Sequence, residues 1–384
     1  MGDNRMSDQT AIKCVIMRGG TSKGVMFNEA DLPANIADRE RLLLAVMGTP
    51  DPRQIDGLGG ADPLTSKVCI IGSPSVADAD IDYTYAMIGI EETMVSWSTN
   101  CGNLSAAVGV YAIEEGLVEA REPETAVRIY NTNTRQIFRA IVPVRNGRPI
   151  VTGAYAIPGV PSFGAEIRLD FSRTTGSATG KLLPTGNRRD RLEVKKLGLT
   201  LDVSILDVAK PTVYFRAADV GLTGIESPEE FTPEILGRLN EIREAAALFI
   251  GLDKDSRVPT PVTIAPPTTY TNFMTGKPVL AETMSFAARR VLGVPPKPHK
   301  AFAATGAVCT AVAAILKGTI VNEVYVDRGD GVINIGHPTG LFPVKAKLAA
   351  DDSVEEASYS RTARRLMSGE VYVTNASIAA RGEV

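Results

Sequence analysis

Histidine is nearly missing from this chain of 384 residues, which holds only His299 and His337. Imidazole-based metal sites and Ser-His-Asp hydrolysis therefore have little to be built from. Cysteine is sparse as well. Cys14, Cys69, Cys101 and Cys309 lie far apart with no CxxC pair, which argues against a structural zinc site and suggests no disulfide framework. Charge of one sign is also lacking, with 41 basic against 44 acidic residues, a formal net charge of −3 and no block of like charge. Nucleic acid is not an expected partner of such a surface. The longest largely apolar run, Ala301 to Leu316, covers 16 residues, too few to span a bilayer. Met1 to Thr10 is polar and carries no apolar leader core. The expectation is a soluble cytoplasmic protein with no metal and no membrane partner, of a size at which two domains are usual. A homo-oligomer fits such a protein.

What the chain does have is turns: 35 glycines and 24 prolines are spread along it. Strand-like segments run from Ala11 to Met17, Gly24 to Phe27, Lys67 to Ile71, Val127 to Tyr130, Gln136 to Val144 and Pro149 to Thr152. Asn146-Gly147 is a hairpin signal between two of them. Helices are expected at Asp38 to Met47, Pro233 to Leu248 and Ala281 to Leu292.

One segment stands out. Asn100-Cys101-Gly102-Asn103 is followed by Leu104-Ser105-Ala106-Ala107-Val108-Gly109, a thiol at the first turn of a helix made of small residues. Asn103 or Ser105 is expected to cap the free N–H groups of that turn. The helix end carries about half a positive charge, which favours a thiolate or a substrate carboxylate. A buried structural thiol is the alternative. The segment has an echo: Gly306 to Gly318 is again a run of alanine, valine and glycine, leading into strands expected at Glu323 to Val326 and Val332 to Ile335. A helix that is apolar all round is a core element to be wrapped by sheet. Each half of the chain thus offers one, with the domain change expected near Leu183-Pro184-Thr185-Gly186-Asn187. Two helix starts facing each other would suit a polycarboxylate.

Eight segments in register resemble the PrpF family, which includes methylaconitate and methylitaconate isomerases and oxalomesaconate tautomerases. They are Met17-Arg18-Gly19-Gly20-Thr21-Ser22-Lys23-Gly24, Ile55-Asp56-Gly57-Leu58-Gly59-Gly60-Ala61, Thr65-Ser66-Lys67, Asn100-Cys101-Gly102-Asn103, Leu183 to Asn187, Ala265-Pro266-Pro267, Lys297-Pro298-His299 and Gly336-His337-Pro338-Thr339-Gly340. The resemblance implies an α+β fold similar to diaminopimelate epimerase: two pseudo-symmetric domains, residues 1–185 and 186–384, each a barrel-like sheet around a central helix, with the active site between them. Epimerases of that fold use a thiol at each helix start. Here Ala303 to Ala307 has none, and Cys309 sits deeper in the helix, which speaks against two-thiol racemisation.

The resemblance places a catalytic lysine at Lys67, as partner to Cys101. Read alone, Lys67 is an ordinary lysine at the mouth of an apolar strand, where partial desolvation would favour its neutral, basic form. Carboxylate binding is expected from Thr21, Ser22, Lys23, Thr65, Ser66, Gly102 and Asn103, and from Lys297, His299, Gly306 and Ala307 in the other half. His337, before a proline in a glycine-rich turn, reads as structural. The implied activity is a cofactor-free proton shift in an unsaturated di- or tricarboxylate. Amino-acid racemisation and non-catalytic carboxylate binding are the rival readings. The glycine-rich segments at Gly19 and Gly57 meet neither dinucleotide nor P-loop spacing.

Overall fold

A computed structural model describes residues 8–97, 100–157 and 159–379. The start of the polar Met1 to Thr10 segment, up to residue 7, lies outside the described residues. The chain divides into two compact units, one of residues up to 169 together with those from 360 onward, the other of residues 170–359. The division falls 16 residues before the expected one, and the last long strand returns to the first unit. The turn-rich Leu183 to Asn187 segment is an internal connection of the second unit, since its polar groups are satisfied there: Thr185 Oγ1 and Asn187 Nδ2 donate to Asp190.

The first unit contains β1 (Gln9–Gly19), β2 (Ser22–Asn28), β3 (Lys67–Gly72), β4 (Ile81–Ile88), β5 (Glu124–Asn131) and β6 (Gln136–Arg145). The second contains β7 (Asp190–Val194), β8 (Leu199–Val208), β9 (Lys210–Arg216), β10 (Thr260–Ala265), β11 (Phe286–Leu292), β12 (Ile333–His337) and β13 (Gly340–Leu348). A final strand, β14 (Ala363–Thr374), pairs with β1. The first sheet runs β14-β1-β2-β3-β4-β5-β6 and the second β7-β8-β9-β10-β11-β12-β13. Pairing directions follow one series in both: antiparallel, antiparallel, parallel, antiparallel, parallel, antiparallel.

The helices repeat too. α1 (Ile36–Met47) joins β2 to β3 and α2 (Ser105–Glu114) joins β4 to β5; α3 (Pro233–Phe249) and α4 (Ala304–Ile315) make the matching connections of the second unit. In each unit one helix is amphipathic and lies outside. Leu42, Leu43 and Val46 of α1 pack on Val25, Phe27, Val68, Ile70 and Ala86, while Leu239, Ile242 and Ala246 of α3 pack with Val203, Val213 and Phe215. Each such aliphatic side chain contributes about 1.5–3 kcal/mol on full burial. The other helix is buried all round: Ser105 to Ile113 in α2 and Gly306 to Ala314 in α4. Small residues make this feasible, since a Cβ at Gly109 would stand 2.7 Å from the Ala140 methyl of the sheet.

Several local expectations need correction. α1 starts at Ile36, two residues before Asp38, because the Asn35 side chain accepts from the N–H groups of Ala37 and Asp38. Ala281 to Leu292 is not a helix: three residues form a 3-10 turn, and Phe286–Leu292 is a central strand between β10 and β12. Burial on both faces overrides the helix preference of Ala287-Ala288-Arg289-Arg290. Glu323 to Val326 is not a strand either, because Thr319 caps a short helix over Ile320–Val324. Beyond Asn146-Gly147, whose φ values are 54° and 70°, strand pairing is confined to Arg148–Pro149.

Candidate active site

Lys67 opens β3, and strand alternation decides its surroundings. Val68 and Ile70 face α1, so Lys67, Cys69 and Ile71 face the α2 side, opposite Met87, Tyr85 and Tyr83 of β4. The lysine is buried, at 6 % exposure. Its Nζ lies 3.4 Å from Cys101 Sγ, which is also 6 % exposed. Ser22 Oγ, at the head of β2, is 4.0 Å from the same sulfur. Among the described residues no carboxylate pairs with Lys67; its neighbours are the thiol and the Tyr85 ring, whose centroid is 5.8 Å away. No group of side chains suited to a metal ion occurs among the described residues.

Cys101 sits one turn ahead of α2, and its carbonyl accepts from both the N–H and the hydroxyl of Ser105, each at 3.0 Å. Ser105 therefore bonds back along the helix and is not a cap. No side chain caps this helix start, which corrects the expected role of Asn103. The Asn103 amide instead donates to Thr21 Oγ1 at 2.9 Å and accepts from Arg361 Nε at 3.1 Å. This explains the glycines of the β1–β2 turn. Gly20 has φ +53°, and a Cβ there would stand 2.3 Å from Asn103 Oδ1. The turn is glycine-rich so that Thr21 and Ser22 can reach the thiol segment.

The loop that delivers Lys67 is fixed by Gln54, a residue that sequence reading missed. Buried to 1 % exposure, its Oε1 accepts from Ser66 Oγ at 2.6 Å and from the Ala61 N–H at 2.9 Å. A Cβ on Gly59 would stand 2.2 Å from its carboxamide, so the glycine loop wraps this side chain. Ser66 is thus committed to Gln54, and Thr65 Oγ1 donates to the Asp62 carbonyl. The backbone N–H of Lys23 donates to the Leu64 carbonyl, tying the β1–β2 turn to the same loop. Below the lysine and thiol, burial pushes the Cys69 thiol and the Tyr83 and Tyr85 hydroxyls far above their ordinary values, so all three stay protonated. Tyr85 Oη has no hydrogen-bond partner among the described residues.

The remaining expected residues belong to the second unit. Lys297 is exposed beside the end of β11. His299 accepts the Ala301 N–H at Nδ1, and burial together with the Arg290 charge pushes its pKa down to about 4. Its ring is neutral at physiological pH and offers no positive charge to a carboxylate. His337 is buried at 6 % exposure and pushed down to about 3, with its ring against Phe342. Gly306 and Ala307 lie in the first turn of α4, whose start also has no side-chain cap. Cys309 is fully buried with Sγ toward the Leu206 carbonyl, away from the helix start.

The arrangement in the first unit is a buried amine and thiol in hydrogen-bond reach of each other, next to an uncapped helix start. It can remove a proton at one carbon and supply one at another. The PrpF protein family model matches residues 9–374. The 3-methylitaconate isomerase of Eubacterium barkeri is 44 % identical over 97 % of this chain and 100 % of its own length. The (4E)-oxalomesaconate Delta-isomerase of Novosphingobium sp. (strain KA1) is 39 % identical, covering 94 % of this chain and 97 % of its own. A crystal structure of methylitaconate-delta-isomerase superposes with a TM-score of 0.87 at 43 % identity, over 98 % of this chain and 99 % of that one.

Proposed function

The chain belongs to the PrpF family and is an isomerase, and from that premise we propose that it shifts a proton and a C=C bond within an unsaturated di- or tricarboxylate of the 3-methylitaconate, 4-oxalomesaconate or 2-methylaconitate type. The observation that carries this reading is the 3.4 Å approach of Lys67 Nζ to Cys101 Sγ.

Lys67, as the neutral amine, takes the proton from the carbon next to the double bond. The electron pair moves through the allylic system into a dienolate whose charge gathers on the carboxylate oxygens. Cys101 gives its proton to the far carbon, or positions the substrate if the lysine carries the proton to both ends. With the thiol as acid, the turnover leaves an ammonium facing a thiolate, and direct proton transfer between them restores the starting pair. No step calls for a cofactor. The developing charge needs donors fixed in advance, each worth about 3 kcal/mol in comparable sites. The helix start at Gly102-Asn103, with Thr21, Ser22, Lys23 and Thr65, is assigned that part. Ser66 acts through Gln54 in holding Lys67.

The test is an ultraviolet and proton NMR assay of 3-methylitaconate, 4-oxalomesaconate, 2-methylaconitate and aconitate, run in parallel in D₂O. Turnover of at least one, with deuterium entering the product, is expected. Turnover of none would overturn the reading, and α-exchange in amino acids alone would replace it by racemisation.

A further inference from the structure

Asn103 stands between a side chain that can only donate a hydrogen bond and one that can donate or accept. Arg361 closes the strand Val354–Arg361 and belongs to the first unit, where it is half-buried. Its Nε donates to Asn103 Oδ1 at 3.1 Å and its Nη1 to the Ser360 carbonyl at 2.8 Å. On the other side of the carboxamide, Asn103 Nδ2 donates to Thr21 Oγ1 at 2.9 Å. The three residues are held in register by the backbone beside them. The Gly20 N–H donates to the Thr362 carbonyl at 2.9 Å, and Arg18 Nη1 donates to that carbonyl at 2.7 Å and to the Gly20 carbonyl at 3.1 Å. The segment after Arg361 is thereby tied to the turn that carries Thr21. That turn leads into Ser22, whose Oγ is 4.0 Å from the Cys101 sulfur.

A carboxamide is nearly symmetric in shape and opposite in its two polar ends, so its neighbours decide which way round it stands. A guanidinium has donors only. Facing Arg361, the carboxamide must present its oxygen, which leaves its N–H₂ for Thr21. Thr21 Oγ1 then spends a lone pair on Asn103 and keeps its proton, which has no acceptor among the described residues. Thr21 is half-exposed, so the hydroxyl can turn that proton toward a ligand.

We propose that Arg361 is a positioning residue for the isomerisation: it fixes the orientation of Asn103, and through it makes Thr21 a donor to the substrate. The inference rests on the proposed reaction, in which Thr21 is one of the donors to developing negative charge. It adds a residue that touches neither thiol nor lysine and acts through two intervening hydrogen bonds.

Reversing the relay tests it. Tricarballylate, a saturated tricarboxylate that cannot isomerise, is the probe in calorimetric titration of the full chain, with circular dichroism checking each fold. Thr21→Val removes the hydroxyl and lowers the affinity at least about tenfold, the usual effect of losing a hydrogen bond to a charged group, whereas Thr21→Ser keeps it. Arg361→Lys retains a donor and stays within about threefold of wild type. Arg361→Met lets the carboxamide stand either way round and costs only about twofold to threefold, since about half of the molecules remain competent. Arg361→Glu is an acceptor, so Asn103 turns over, Thr21 donates to it, and the affinity falls at least about tenfold. Combining Arg361→Glu with Thr21→Val adds little to Thr21→Val alone. An arginine acting by bare charge or as scaffold would instead give losses that multiply to about a hundredfold. Multiplying losses, equal losses in Arg361→Met and Arg361→Glu, or no binding to wild type overturns the relay. On whichever unsaturated acid wild type turns over, kcat/KM follows the same order. If no acid is turned over yet tricarballylate affinity follows the series, the reaction is wrong and the relay stands; normal turnover with a series that does not follow removes the relay alone.

Discussion

The two units share a strand order and two helix positions, yet equivalent places carry unlike chemistry. The first residue of β3 is Lys67, and that of its counterpart β10 is Thr260. The residue opposite that strand's third position is Tyr85 in one and Arg290 in the other. β2 opens with Ser22, and its counterpart β9 with Lys210. Cys101 stands ahead of α2, whereas the only thiol of α4 is buried in its middle. The duplicated scaffold fixes where side chains converge, at strand ends and the start of a wrapped helix. Which chemistry appears there is free to differ, because these positions are surrounded by a core that either set of side chains leaves intact. One unit brings an amine and a thiol together, and the other gathers buried cationic side chains.

The strongest test of that division compares residues across the units. Lys67→Ala should reduce kcat by about 10²–10⁴-fold, the usual contribution of a positioned base, with the thermal transition preserved. Cys101→Ala should reduce kcat as well, by less if the lysine serves both carbons. Cys309→Ala should leave kcat unchanged and lower stability by only about 1 kcal/mol through a small cavity. Steady-state rates and melting curves of the three variants decide it. A Cys309 variant as inactive as the Cys101 variant would mean that the two helices are not divided in function.

A smaller effect separates two glycines of the second unit. Gly306→Ala drives a methyl into the Arg290 guanidinium, and overpacking of this kind costs about 1–3 kcal/mol. Gly237→Ala, in α3 with nothing within 4 Å of the new methyl, should stabilise by up to about 1 kcal/mol through helix propensity. Denaturant unfolding of the pair should therefore show opposite signs. Equal signs would remove Arg290 from the helix start.

Acid should also distinguish the units, because both histidines lie in the second. Folded pKa values of about 4 for His299 and about 3 for His337 lie below the ordinary 6.5. The unfolded chain then binds more protons between those values, so stability is complete above pH 6.5 and falls as the pH drops toward 4 and 3. Hydrogen exchange at pH 5 should show protection lost first around β11 and β12. Earlier loss in the first unit would contradict the assignment.

How much of this was legible in the sequence follows from the range of the forces involved. α2 and α4 could be read because an all-apolar run of small residues has one physical use, burial inside a sheet. Ala281 to Leu292 reads as helix because its local preference is helical, whereas its environment, a strand buried on both faces, is set by partners far along the chain. Thr319 is a cap whose type and position are visible in the sequence, three residues before Asn322. Lys67 and Cys101 are 34 residues apart, and nothing in their spacing brings them together. The packing of α2 against β3 does, and only family resemblance stood in for it. Arg290 was not legible at all: two of its guanidinium nitrogens, Nε and Nη1, lack a partner among the described residues, and that is a property of the fold.

The smallest expected effect concerns Tyr85, the counterpart of Arg290. Its hydroxyl is buried without a partner among the described residues, while its ring centroid lies 5.8 Å from Lys67 Nζ. Tyr85→Phe keeps the ring and removes the orphaned group, so stability should hold or rise by about 1 kcal/mol, the reverse of the usual loss of a buried hydrogen bond. The ring still packs beside Lys67 Nζ, so kcat should stay within about threefold of wild type. Tyr85→Leu removes the ring and should lower both stability and kcat. If Tyr85→Phe instead keeps its stability and loses kcat tenfold or more, the hydroxyl is waiting for substrate. The first unit would then bind carboxylate at the same lattice position where the second places its arginine, and the division between the two would narrow to Lys67 and Cys101.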